Sequence, residues 1–323
     1  MLTNKTNISL PLATWLASNS YGGKPEPKRL SATSLLQGTR KLVYQELINR
    51  GTFEESSLDI SELLASKLGS AIHQNIQNVW EDDTTRSNAL LALGIKPEVI
   101  SRIKVNPSKV HPGDIPVYFE VRTNKVFNDW TISGQFDIVY DGQIQDFKST
   151  STYVYMNNLK KDDYIKQLSI YKWLNPELIT EDTGVIHYIF KNWDKNKVHE
   201  EGYPQTPFLS VTYELLPLHE VQKLITSKIM DIEACLEYPN MLPDCDNKDL
   251  MVHEDVYQYF SSESSVRASK NFDNLAEANK YLASKGKGLV KKKIQEPKGC
   301  YWCNCRGVCT QYKRFKELGV VKE

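Results

Sequence analysis

The sequence predicts a mixed α/β fold in which helices flank a small mixed sheet. Three observations carry this: an apolar stripe at helical spacing early in the chain, strand-like segments between residues 115 and 150, and a return to helix and then strand after residue 160. At 323 residues the chain is one large domain or two modest ones, long enough to bury a core without staples. Forty Lys and Arg balance forty Asp and Glu, which excludes a globally basic binder and leaves any nucleic-acid surface to a local patch. Its 40% apolar content and 17 Tyr belong to a folding chain rather than a disordered one. No apolar run reaches bilayer length, so neither a transmembrane helix nor membrane association is expected. The first twenty residues lack the unbroken apolar stretch of a signal peptide, so a cytoplasmic location is expected, with reduced cysteines.

The elements follow in order. Residues 1–27 carry little periodicity and end in GGKPEPK, an N-terminal arm. Residues 28–240 are expected to form the core. Ser31 can cap a first helix that Gly51 ends. Ile60, Leu64, Leu68, Ile72 and Ile76 recur every fourth residue, which predicts an amphipathic helix over about 60–80, and a short helix follows at 86–94. From Ile115 the pattern becomes IPVYFEVR, DWTISGQFDIVY and QIQDFKST, three strands. A helix resumes near Asp162, followed by strands GVIHYIFKNW and FLSVTYE and a long helix over 217–237. Residues 241–299 contain a small strand–helix–strand unit, read as an α/β insertion, and residues 300–323 form a Cys-rich closure packed on the core.

The chemistry concentrates in SGQFDIVYDGQIQDFKST. Asp141-Gly142 between two strand-like runs signals a two-residue type I′ hairpin, which pairs Tyr140 with Gln143 and Val139 with Ile144. That register sets Asp137 directly opposite Asp146, and Lys148, two residues on, shares their face. Two opposed carboxylates repel unless a divalent cation lies between them, and oxygen ligands on rigid strands suit Mg²⁺ or Mn²⁺. A lysine on the same face can orient or deprotonate an attacking water and stabilise charge on a scissile phosphate. Glu120, on the preceding strand, is a further candidate for the same site, as ligand or water-orienting group.

His73 stands beside the apolar stripe of the 60–80 helix, with Gly69 one turn earlier allowing close approach, and as a neutral imidazole it could ligate a metal. Gln167 and Tyr171 are an i,i+4 pair on the helix after Lys148, able to hydrogen-bond phosphate or bases, and Tyr171 to stack. Cys300, Cys303, Cys305 and Cys309 crowd into GCYWCNCRGVC. The C-x2-C step is a chelating spacing, and zinc and an iron–sulfur cluster both accept four thiolates.

His73, then Gly134-Gln135-Phe136-Asp137, then Asp146-Phe147-Lys148, then Gln167-x3-Tyr171 together resemble the RecB-type branch of the PD-(D/E)XK nuclease superfamily. The resemblance implies a restriction-endonuclease-like core. In it His73, Asp137 and Asp146 hold Mg²⁺ or Mn²⁺, Lys148 completes the active site, and Gln167 and Tyr171 contact DNA. It implies in-line attack of metal-activated water on a phosphodiester, most simply by an exonuclease at DNA ends in recombination, repair or bacteriophage DNA metabolism. Cys300-x2-Cys303-x5-Cys309 is similar to the C-terminal triplet of the iron–sulfur nucleases of this branch, such as the AddB and CRISPR-adaptation types. Their fourth Cys precedes an Arg-Lys-aromatic stretch, where this chain has Gly38, which leaves Cys245 (favoured) or Cys305 as fourth ligand of a 4Fe-4S cluster or Zn²⁺ and Cys235 spare. No G-x4-GK[ST] motif appears, so unwinding would need a helicase or recombination partner. A DNA-trimming nuclease of the CRISPR-adaptation kind, a non-catalytic DNA-binding or assembly module, and a zinc-stabilised interaction protein are the alternatives.

Overall fold

The computed structural model describes residues 2–18, 26–252, 256–293 and 295–321. The chain folds as two compact units, residues 2–37 with 58–237, and residues 38–57 with 238–323.

The larger unit is a mixed α/β structure. Its six-stranded sheet runs, edge to edge, Phe208–Glu214, Thr183–Phe190, Gln143–Thr150, Ile138–Tyr140, Ile115–Phe119 and Ile103–Val105. Gln143–Thr150 pairs parallel with Thr183–Phe190, and the crossover between them carries the helix Lys161–Leu174. A second, three-stranded sheet is ordered Arg29–Ser31, Trp130–Gln135, Arg122–Phe127. The expected long strands are therefore each split. Ile115–Phe119 breaks at Glu120 and continues as Arg122–Phe127 in the other sheet. Trp130–Gln135 breaks at Phe136-Asp137 and continues as Ile138–Tyr140. Glu120 takes a positive φ of 51°, and its N–H donates to the Asp137 carbonyl at 3.1 Å, so the two breaks are tied into one corner.

Helix Lys161–Leu174 buries Leu168, Ile170, Trp173 and Leu174. It lies so close to the second sheet that a Cβ on Gly134 would meet Leu174 Cδ1 at 2.5 Å and Tyr171 Cδ1 at 3.0 Å. The helix Leu218–Glu237 buries Ile225, Ile229 and Ile232, and its Glu233 accepts from the indole N–H of the fully buried Trp130 at 2.9 Å. The hairpin turn has φ of 47° at Asp141 and 82° at Gly142, as a type I′ turn requires, and its pairs are Tyr140 with Gln143 and Val139 with Ile144.

Several expectations are corrected. The N-terminal arm holds a helix, Leu10–Ala17, and a short strand, Leu2–Thr3, pinned to Leu58–Asp59. The Asp59 carboxylate accepts from Thr3 Oγ1 and from the Lys5 N–H. Residues 19–25, which include most of GGKPEPK, lie outside the described residues. Ser31 caps no helix: it belongs to a strand, its hydroxyl accepts from the Ser34 N–H, and the helix that Gly51 follows begins at Thr39. The apolar stripe forms a 3-10 turn and then the helix Leu64–Glu81, but this helix buries no residue fully, and Leu64 and Leu68 are exposed.

The smaller unit joins the helix Thr39–Asn49, expected in the core, to the C-terminal third of the chain. Arg40 is the reason: its buried guanidinium donates to the carbonyls of Leu242 and Pro243 and to Thr310 Oγ1, and pairs with Asp244 at 3.1 Å. The 241–299 and 300–323 segments, expected as separate pieces, fall in this one unit. Within it, a three-stranded antiparallel sheet is ordered Lys270–Phe272, Tyr257–Phe260, Leu289–Lys292 and packs the helix Leu275–Lys285 through Tyr259, Phe272 and Ala278. Among the described residues no helix is long and apolar enough to cross a membrane.

Candidate functional site

The corner made by Glu120 and Asp137 opens onto a cleft of about 590 Å³ in the larger unit. One wall is the helix Leu64–Glu81, which offers Ser66, Gly69, Ser70 and His73. Nothing lies within 4 Å of a Cβ built on Gly69, so this glycine leaves room in the cleft instead of allowing helix packing.

Asp146 and Lys148 lie two apart on the central strand and meet on one face, as the hairpin register requires. Asp146 is 1% exposed, and its Oδ2 lies 2.6 Å from the Lys148 ammonium. That approach is oblique, so Oδ2 has an ion pair but no hydrogen bond of good geometry. Burial, reinforced by the Asp137 charge, pushes the Asp146 carboxyl up to about 6. Burial also works against the charged form of Lys148, but the Asp146 and Asp137 carboxylates outweigh it and hold the ammonium above its ordinary pKa.

Asp137 departs from the expected ladder. The paired residues end at Ile138 with Gln145, and Asp137 bends out of the strand so that its Oδ2 accepts from the Phe147 N–H at 2.9 Å. Its Oδ1 lies 3.2 Å from His73 Nδ1. The opposite ring nitrogen, Nε2, lies 2.9 Å from the Phe147 carbonyl, which can only accept, so Nε2 carries a proton. In the neutral ring the Nδ1 lone pair then faces Asp137, the orientation of a metal-ligating histidine fixed by its second hydrogen bond. Burial disfavours the charged ring, but the hydrogen bond and charge of Asp137 win and raise the pKa of His73. A proton on Nδ1 thus sits where a cation would.

His73, Glu120 and Asp137 bring one ligand atom each to within 4.8 Å of one another, the only such three-donor group among the described residues. Asp146, which the resemblance placed in the ligand set, does not join it, whereas Glu120, a further candidate in the sequence, does. Glu120 is oriented by Gln135, whose Nε2 donates to Glu120 Oε2 at 2.6 Å and whose Oε1 accepts from Arg122. An imidazole and two carboxylates form a nitrogen–oxygen donor set that fits Mn²⁺ or Mg²⁺. Sequence reasoning missed Arg122 and the orienting role of Gln135, because both depend on the sheet-to-sheet corner. Gln167 and Tyr171 line the cleft as a buried pair, Gln167 Nε2 donating to Tyr171 Oη at 2.9 Å.

The cysteines do not meet the expectation of a metal knot. None of the six is in a disulfide, and among the described residues the thiols of Cys245, Cys300, Cys303 and Cys309 form no three-donor group. Burial pushes the thiols of Cys245 and Cys300 up to about 12. Cys305 and Cys309 are buried against Tyr44, the Cys305 thiol donates to Asn304 Oδ1 at 3.4 Å, and the neighbouring Cys305 lowers the pKa of Cys303 to about 6. At Gly38, where the resemblance would seat a Cys, a Cβ would overlap the Asp249 carboxylate, which instead accepts from the Gly38 N–H at 3.1 Å. Cys235 lies in the other unit.

No protein-family model matches the chain, and no curated protein matches it in sequence. Solved structures that are distantly similar include the following two. SSO0001 shares 16% identity at a TM-score of 0.39, over 65% of this chain and 78% of its own. A phage-related exonuclease from Haemophilus somnus 129PT shares 17% identity at a TM-score of 0.26, over 49% of this chain and 71% of its own. At these distances neither likeness bears on what this chain does.

Proposed function

We propose that the chain is a divalent-metal-dependent deoxyribonuclease of the PD-(D/E)XK, RecB-like type, acting as an exonuclease on DNA ends. The observation that carries this reading is the meeting of two parts at one corner of the sheet: the His73–Glu120–Asp137 donor group and the buried Asp146–Lys148 ion pair. His73, Glu120 and Asp137 would hold Mg²⁺ or Mn²⁺, with Asp146 adjacent. Bound there, the ion supplies Lewis acidity toward water and phosphate oxygen. In the metal-free site Lys148 is favoured as the ammonium by its two carboxylates. It donates hydrogen bonds, orients water and stabilises the negative charge that grows on a phosphodiester under attack. Gln135 holds Glu120 in place, while Gln167 and Tyr171 shape the cleft wall along which a strand would run. Unwinding of duplex DNA is assigned to a separate helicase or recombination partner.

The test is cleavage of end-labelled linear DNA and of closed circular single-stranded DNA, with Mg²⁺ or Mn²⁺ and with chelator. Metal-dependent loss of linear DNA alone is expected, and Lys148→Ala should slow it by about 10²-fold or more, the scale of removing one preorganised charge-stabilising donor. Cutting of circles would make the enzyme an endonuclease. No metal-dependent cleavage of either substrate would contradict the proposal and favour a binding module.

A further inference from the structure

The small sheet of the second unit carries a charge that the chain as a whole does not. Residues 257–293 contain eight Lys or Arg against three Asp or Glu, a formal charge of +5, so the remainder of this neutral chain carries −5. We propose that this module is a docking surface for the phosphate backbone of DNA. The inference extends the nuclease reading to a second contact with the same substrate.

Three of the lysines are held against aromatic rings. Lys270 Nζ lies 4.9 Å from the centre of the Tyr281 ring and 5.0 Å from that of Phe272, and Lys285 Nζ lies 5.2 Å from Tyr281. Two ammonium groups sharing one ring are no farther apart than about one Debye length, ~10 Å at 0.1 M salt, so each raises the positive potential at the other. Tyr259 Oη donates to the Lys287 carbonyl at 2.9 Å, which draws that turn to the strand bearing Lys270's ladder partner. On the face away from the helix, Asn271, Gln258 and Lys291 stand side by side across the three strands. Gln258 donates to Asn271 at 3.1 Å, and Lys291 Nζ lies 5.7 Å from the centre of the Phe260 ring. Among the described residues no carboxylate pairs with Lys270, Lys285, Lys287, Lys291 or Lys293. Cation–π contacts hold the first, second and fourth in place without neutralising them. Ammonium groups held on aromatic rings without a paired carboxylate among the described residues, together with side-chain amides beside Lys291, are what contact with phosphate and sugar requires.

The test is fluorescence anisotropy of labelled DNA with the full chain in chelator, titrated across salt concentrations. Lys285→Gln/Lys287→Gln/Lys291→Gln should weaken binding about tenfold or more at low salt and lower the slope of log K against log salt by about 2–3, the number of phosphate contacts removed. The corresponding Glu variant should weaken it further. Lys96→Gln/Lys104→Gln/Lys109→Gln, which removes the same charge from exposed positions of the other unit, should change little. Circular dichroism should show every variant folded. Equal losses in the two Gln variants would reduce the effect to net charge and overturn the inference. So would unchanged DNA binding with lost binding to phosphatidylserine vesicles. Because binding is read without metal, a chain that cleaves nothing yet shows the selective loss would overturn the nuclease reading alone.

Discussion

Lys148 and Cys303 are both shifted by the groups packed around them. The carboxylates around Lys148 favour its charged form in the metal-free site, outweighing burial. The thiol of Cys305 stabilises a thiolate at Cys303, bringing it to about 6, while Cys245 and Cys300 stay near 12. Iodoacetamide at pH 7 should therefore label Cys303 before Cys245 or Cys300, read by peptide mass spectrometry, and equal labelling would contradict this local electrostatic picture. The Asp146–Lys148 contact was legible in the sequence, because an Asp-Gly turn fixes the register and a two-residue spacing fixes the face. The bend at Asp137 was not, since nothing local in GQFDIVY announces that its carboxylate will accept from the Phe147 N–H.

Elements were legible wherever a local rule decides them. The hairpin, the strand Gln143–Thr150 and the helix Leu218–Glu237 follow from turn chemistry and periodicity. The splits at Glu120 and Phe136-Asp137 escaped, because strand-like sequence continues unbroken while the chain passes from one sheet to the other. The helix Leu10–Ala17 escaped because no side chain caps its start and few polar residues mark an outer face. The central strand Tyr257–Phe260 is only four residues long. Gly134 shows how tightly the corner is built. Gly134→Val should cost about 1–3 kcal/mol by forcing the helix Lys161–Leu174 away from the second sheet. Urea unfolding would measure this, and a loss below about 0.5 kcal/mol would mean that Leu174 and Tyr171 yield freely.

At the scale of the molecule, the division into two units depends on contacts that no local pattern encodes, such as the Arg40 guanidinium reaching residues some two hundred positions away. Titration behaviour is likewise a property of the assembled site. The pKa of Asp146 is raised, so its contribution to stability is full below its ordinary carboxylate value and is lost as pH rises through about 6. His73 is also raised, and its contribution is lost as pH rises past its elevated value. The contribution of Lys148 is constant over that range. The metal-free site therefore becomes less stabilising between pH 5 and pH 8, while its donors become more available to a cation. Saturating Mn²⁺ should raise the Tm by on the order of 5 °C more at pH 8 than at pH 5 in differential scanning fluorimetry. An equal shift at both pH values would place the ion elsewhere.

The proposed divalent-metal centre joins His73, Glu120 and Asp137 at the sheet corner. The most direct measurement is a titration of Mn²⁺ by electron paramagnetic resonance at pH 8, comparing the native chain with Asp137→Asn, Glu120→Gln and His73→Ala. The expected result is a tight site in the native chain that Asp137→Asn abolishes and the other two weaken by about tenfold or more. Tight binding unchanged in all three variants would contradict it.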